Sequence, residues 1–179
     1  GEVSILNGKL KKMILAALFA ALCCVATIVV QIPSPTNGYL HLGDCAVLLS
    51  GVLLGPAYGA AAAAIGSTMA DVITGYAHYA VATFIIKAIM AAAAWAVYSA
   101  LGKGRLSSAL RLGIAGVVSE LIMTVGYFAY DCLLRGQGLA AAASIPNYVI
   151  QGGIGIVAAV IIIKALERTP ILSAGKAGV

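Results

Sequence analysis

Apolar residues run along this chain in long blocks, and short polar or Gly/Pro-rich stretches punctuate them. The first block, about 13–30, ends at Ile32-Pro33-Ser34-Pro35-Thr36-Asn37-Gly38, which no helix crosses because proline lacks the N–H and clashes with the preceding turn. A second block opens near Asp44, well placed as an N-cap, and stops at Gly55-Pro56; at 44–54 it is short. The third, 57–74, is crowded with small residues, among them Gly59, the alanines at 60–64, Gly66 and Ser67. Gly75-Tyr76-Ala77-His78-Tyr79 reads as a loop before a fourth block at 82–101. Gly102-Lys103-Gly104-Arg105 is a basic turn, a fifth block covers 108–134, Arg135-Gly136-Gln137-Gly138 breaks it, and a sixth covers 145–166. A spanning helix uses about 20 apolar residues. The pattern predicts an all-α integral membrane protein, one domain over residues 1–179, with six transmembrane helices.

Composition excludes the alternatives. Hydrophobic residues make up 62% and charged ones 9%, against about 45–50% and 25% in soluble domains. A soluble domain has no way to hide that apolar surface from water, and disorder requires low hydrophobicity. The net charge of +5 takes its meaning from position: Lys9, Lys11, Lys12, Lys103, Arg105, Arg111, Lys164, Arg168 and Lys176 all fall on one side of a six-span chain. Only Arg135 falls opposite, and Lys87 lies within a span. The positive-inside rule then places both termini in the cytoplasm, so the charge reports orientation in a lipid bilayer rather than nucleic-acid binding. Although lysines precede the first block, it is long for a signal peptide and no small-x-small cleavage site follows, so it is expected to stay in the protein.

The chemistry rests on residues that lipid disfavours. An ionisable side chain at mid-span costs about 2.5–3.5 kcal/mol on insertion scales, and Asp71, Lys87, Glu120 and Asp131 are such residues. They gather toward the outer half, where Tyr39, Tyr76, Tyr79, Tyr127, Tyr130 and Tyr148 also congregate, as aromatic and sparse polar groups do around a small-molecule pocket. Glu120, Thr124, Tyr127 and Asp131 form one helical stripe; Asn147/Gln151 and Ser67/Asp71 are i, i+4 pairs on two other helices. Ser67 and Thr124 read as interhelical hydrogen-bond glue, whereas Lys87, Asn147 and Gln151 read as ligand contacts. Asp71 and Lys87 fit an ion pair as well as ligand contact, and Tyr76 and Tyr148 fit an interfacial belt as well as a pocket wall. His41 and His78 lie in different outer loops; with Asp44 they lack metal-ligand spacing, so no metal is expected. Cys23 and Cys24 read as small buried hydrophobes, and nothing in the spacing requires Cys45 to meet Cys132. No GxGD, GxSxG, HExxH or P-loop occurs, so the chain reads as neither an enzyme nor a transporter with its own motor, and no cofactor is expected.

The ordered series Gly38-Tyr39-Leu40-His41-Leu42-Gly43-Asp44, Leu54-Gly55-Pro56-Ala57-Tyr58-Gly59, Gly66-Ser67-Thr68-Met69-Ala70-Asp71, Thr83-Phe84-Ile85-Ile86-Lys87 and Asn147-Tyr148-Val149-Ile150-Gln151-Gly152 resembles the substrate-binding S components of energy-coupling factor (ECF) vitamin transporters. The resemblance implies a six-helix protein of a bacterial plasma membrane that captures a water-soluble vitamin at its extracellular side. It also implies docking on a transmembrane coupling subunit and two cytoplasmic ATPases, through an Ala-x-x-x-Ala face of the first helix that maps to Ala16, Ala17, Ala20 and Ala21. The expected pocket residues are Tyr39, His41, Asp71, Tyr79, Lys87, Glu120, Tyr127, Asp131, Asn147 and Gln151. Such a set suits a small polar heteroaromatic such as pyridoxine or hydroxymethylpyrimidine, with riboflavin and pantothenate as alternatives. A different class, a self-contained secondary transporter using Asp71 and Glu120 as proton carriers, predicts dependence on a proton gradient instead of partner ATPases.

Overall fold

The computed structural model describes residues 2–34 and 38–168, with the side chains of 8–32, 40–102 and 104–168. The described residues form five long helices: α1 (Glu2–Val29), α2 (Gly43–Ile73), α3 (Ala80–Ala100), α4 (Ser108–Ala129) and α5 (Ile145–Glu167). Departing from the all-helical expectation, the Pro-rich stretch after α1 carries a short antiparallel ribbon, β1 (Ile32–Ser34) with β2 (Gly38–Leu40), Ile32 facing Leu40. Ser107 caps α4 by accepting the Leu110 N–H, and Pro146 sits in the first turn of α5, where its missing N–H is harmless. Beyond α4 the chain widens into a π-turn at Tyr130–Leu134.

Five segments are long and apolar enough to cross a membrane: Gly8–Val29, Gly43–Ile73, Ala77–Ala100, Ser108–Leu134 and Gly138–Glu167. The predicted second and third spans are joined in α2, which breaks at Gly55 (φ 85°, ψ 178°) ahead of Pro56. Glycine tolerates that positive φ, and the proline cannot donate to the turn before it. The break is a reversal: Ser50 Oγ donates to the Gly59 carbonyl at 3.1 Å. A straight helix would separate residues nine apart by about 13 Å along its axis. The first arm, 43–54, rises only about 18 Å, short of a hydrocarbon core about 30 Å thick. α3 runs on to Ala100 past the reversal, which lies level with Trp95.

α2 is the hub, packing on α1, α3 and α5, while α4 closes the bundle against α3 and α5. Small residues allow the close crossings. A Cβ at Gly51 would collide with the Ala91 backbone of α3, and one at Gly66 with the Ala20 carbonyl of α1. Cys23 and Cys24 are buried as expected, and the four cysteines are all free thiols, Cys45 and Cys132 included. The burial pattern inverts that of a water-soluble protein: Leu18, Leu121, Val125, Val157 and Ile161 are exposed, while Asp44, Lys87 and Asp131 are buried. Apolar outside and charged inside is the arrangement lipid imposes.

Gly51→Ala is therefore expected to destabilise by about 1–3 kcal/mol through overpacking against α3. Gly113→Ala, with nothing within 4 Å of the new methyl, should be neutral or gain up to about 1 kcal/mol of helix propensity. Thermal unfolding of the two variants in detergent, compared with the parent, measures the contrast.

Candidate functional site: a buried polar floor under a tyrosine layer

The beginnings of α2 and α5, the first third of α3 and the second half of α4 meet at one end of the bundle. Lys87, 1% exposed, pairs with Asp44, 0% exposed, through Nζ and Oδ1. Gln151 Nε2 donates to Asp44 Oδ2 at 2.6 Å. Met123 Sδ lies 3.2 Å from Lys87 Nζ and 3.5 Å from Gln151 Nε2. Three helices are thus joined through one carboxylate, and Met123 of α4 lies against its two donors. Asp44 is not the N-cap that the sequence suggested: Leu42 holds that position, without a side-chain cap bond. Asp44 lies in the first turn instead, where the helix dipole still favours a carboxylate while its side chain reaches Lys87. Lys87 accordingly pairs with Asp44 rather than Asp71, which is buried near the far end of α2.

α5 makes room for two acids with two glycines three residues apart. A Cβ at Gly155 would stand 3.0 Å from Asp44 Cβ, and one at Gly152 would stand 2.8 Å from Glu120 Cγ and Oε2. Glu120 is 7% exposed, and both its oxygens are buried without a hydrogen-bond partner among the described residues. Its helical neighbour Thr124 donates back to the Glu120 carbonyl at 2.9 Å, and Ser67 Oγ is buried without a partner. Neither bridges helices as glue.

Above this floor lies a tyrosine layer. Asp131, 2% exposed, accepts from Tyr79 at 2.8 Å, from Tyr148 at 3.2 Å and from Arg135 at 3.1 Å. Arg135 also donates to the Tyr79 hydroxyl. Tyr127 joins the two levels: its ring stacks on Tyr148 (centroids 5.7 Å apart, 29° between planes) and meets Tyr79 edge-on at 6.0 Å. Its hydroxyl shares a 2.9 Å hydrogen bond with Thr83, and Lys87 Nζ lies 5.8 Å from its centroid. Tyr130 ties the end of α4 to the α2–α3 turn by donating to the His78 carbonyl.

The sequence-predicted residues Tyr79, Lys87, Glu120, Tyr127, Asp131 and Gln151 are thus gathered at this end of the bundle. Asn147 is half-buried one turn before Gln151, and the Tyr39 side chain lies outside the described residues. The reading missed the central role of Asp44, and also Thr83, Met123 and Arg135. Asp131/Arg135 at i, i+4 was a visible signal, and an intramembrane lysine demands a carboxylate partner. Among the described residues no group of three His, Cys, Asp or Glu stands together as metal ligands.

His41 borders the floor just outside α2. Its Nδ1 accepts the Gly43 N–H at 3.0 Å, which leaves the proton of the neutral ring on Nε2. Burial pushes its pKa down to about 4, Asp44 opposing that shift and Lys87 adding to it. On the opposite flank, α1 and the second arm of α2 leave a groove of about 590 Å³ whose lining includes Ala16, Ala17, Ala20, Ala21, Tyr58 and Ile65.

With this geometry in view, the profile of the family described as "ECF-type riboflavin transporter, S component" matches residues 7–168. The chain belongs to that S-component family. An uncharacterized protein of Pyrococcus woesei is 34% identical over 134 residues, 74% of this chain and 86% of its own length. The thiamine precursor transporter HmpT of Lactococcus lactis subsp. cremoris is 27% identical over 170 residues, 93% of this chain and 94% of its own. This S component is accordingly a membrane transport subunit, not an enzyme.

Two outcomes test the site's electrostatics. Lys87→Met strands a buried carboxylate and is expected to cost about 3–5 kcal/mol, whereas Asp44→Leu combined with Lys87→Met should recover most of that loss. Thermal unfolding of the single and double variants measures the coupling. Because His41 stays neutral in the folded chain, whereas a free imidazole titrates near 6.5, the stability it contributes is complete above about pH 6.5 and lost as pH falls toward 4. Melting temperature against pH should fall over that window in the parent and fall less in His41→Gln.

Proposed function

We propose that this chain is the substrate-capturing subunit of an ECF-type importer and binds a small heteroaromatic vitamin or vitamin precursor at the tyrosine-lined end of the bundle. The observation that carries the reading is the stacked Tyr127–Tyr148 pair above the Asp44–Lys87–Gln151 floor: aromatic faces for a flat ring, and fixed donors and acceptors for its edge. That end carries the α1–α2, α2–α3 and α4–α5 connections. The basic residues Lys103 and Arg105 of the α3–α4 connection, and Arg111 at the start of α4, lie at the other end. Because α2 folds back at Gly55 and returns to the side it starts from, both termini fall on the side of the basic α3–α4 turn, and the positive-inside rule puts the site outside the cell and both termini inside.

The relative HmpT, whose name assigns it a thiamine precursor, supports a small ring over a large conjugate. Asn147 and Gln151, one turn apart on α5, supply ligand contacts in this reading, and His41 borders the floor beside Asp44. Asp71, buried near the outer end of α2, contributes to the same wall. Energy comes from partners: the alanine groove of α1 and α2 is the face for a transmembrane coupling subunit, which two cytoplasmic ATPases drive. In lipid, helices associate through close van der Waals contact, which small side chains permit.

A thermal-shift screen of the purified chain against water-soluble vitamins and their heterocyclic precursors tests the proposal. A small nitrogen heteroaromatic is expected to raise the melting temperature in a saturable way. At 100 times its Kd a ligand adds about 2.7 kcal/mol of stability. Absence of a saturable shift with every compound would refute it.

A further inference from the structure

Glu120 differs from Asp44 and Asp131 in having no hydrogen-bonding group among the described residues to answer it. Asp44 is taken by Lys87 and Gln151, and Asp131 by Tyr79, Tyr148 and Arg135. Glu120 has both oxygens buried and without a hydrogen-bond partner, though it is only 7% exposed and cradled against Gly152. Leaving a buried polar group unsatisfied is costly, and Lys87 cannot offset this one because Asp44 already neutralises it. A carboxyl with two unpartnered oxygens is matched by two parallel donors in one plane, or by one donor and one acceptor when it keeps its proton.

We propose that Glu120 is the residue that selects the substrate, and that the substrate is a cyclic amidine, a flat ring carrying an amino group beside a ring nitrogen, as in an aminopyrimidine. This rests on the substrate-capture reading above and narrows it. The amino N–H donates to one oxygen. The other oxygen either donates its proton to the ring nitrogen or accepts one from it, so both bonds form in either protonation state. An imide edge, such as that of a flavin ring, presents carbonyl, N–H and carbonyl. It pairs with the carboxyl only while the acid keeps its proton, and sets its own lone pairs against those of the carboxylate, whereas the amidine edge is matched in both states.

The test uses the full chain in detergent, with 4-amino-5-hydroxymethyl-2-methylpyrimidine, its analogue bearing methyl in place of the amino group, and riboflavin as probes. The parent is expected to bind the aminopyrimidine about 100-fold more tightly than the methyl analogue. Glu120→Leu should erase that preference while folding at least as stably, since it removes an unsatisfied buried group. Glu120→Gln should keep affinity within about tenfold, because a carboxamide offers the amidine edge one acceptor and one donor. If the parent binds the aminopyrimidine or riboflavin and Glu120→Leu leaves that affinity within twofold, the role of Glu120 is overturned while substrate capture stands. If the parent binds none of the three probes but another vitamin stabilises it, the amidine assignment is overturned alone. If no vitamin binds, both readings fall.

Discussion

The ion pair between Lys87 and Asp44 is the constraint around which this bundle is arranged. A lysine two turns inside an apolar helix must find a carboxylate, and the partner must be brought to it by the fold rather than by sequence proximity. Asp44 meets that need from the first turn of α2, and its second oxygen draws in Gln151 from α5. Gly155 gives the acid room on α5, and Met123 of α4 lies against the two donors. Replacing such a pair by apolar residues often costs a protein nothing, whereas breaking it strands a charge. Its presence therefore marks a place where polar groups are needed at fixed positions, which is what a binding floor requires.

The two ends of the molecule are specialised in different ways. At one end, tyrosines and paired acids build a layered polar interior, with Tyr127 linking the Asp131 network above to the Lys87 pair below. Along the flank of α1 and α2, alanines of both helices leave an apolar groove bordered by larger side chains such as Met13, Tyr58 and Met69. At the basic end, Arg111 lies over the Tyr98 ring and donates to its carbonyl, fastening the start of α4 to the end of α3. In the proposed function the tyrosine-lined end supplies recognition chemistry and the groove supplies packing surface for a membrane partner. That division suits a subunit that captures a solute and leaves the driving of transport to others.

Much of this was legible in the apolar blocks. Their lengths marked the membrane helices, and the polar stripes on the fifth and sixth blocks pointed to Glu120, Tyr127, Asp131 and Gln151. The second and third blocks were harder to read, because Gly55-Pro56 ends a helix in any context and the sequence does not reveal that its arms fold back into a single element. Asp44 escaped because an acid at a helix start has a sufficient local explanation as a cap, and only the fold shows that Lys87 lies 43 residues away in sequence and in contact in space. The same holds for Thr124: periodicity places it on the polar face, but its hydroxyl returns to its own backbone. Local pattern gave the faces; which group answers which across helices depends on packing.

The central claim is that this chain captures its solute but does not move it uphill unaided. Proteoliposomes containing the chain alone, loaded with external radiolabelled vitamin identified by the thermal screen, test that claim most directly when an inward proton gradient is imposed. The account predicts saturable binding near one ligand per chain and no accumulation above that level, with uptake appearing only when the coupling subunit and ATPases are added with ATP. Accumulation inside vesicles driven by the proton gradient, with no ATPase present, would contradict it.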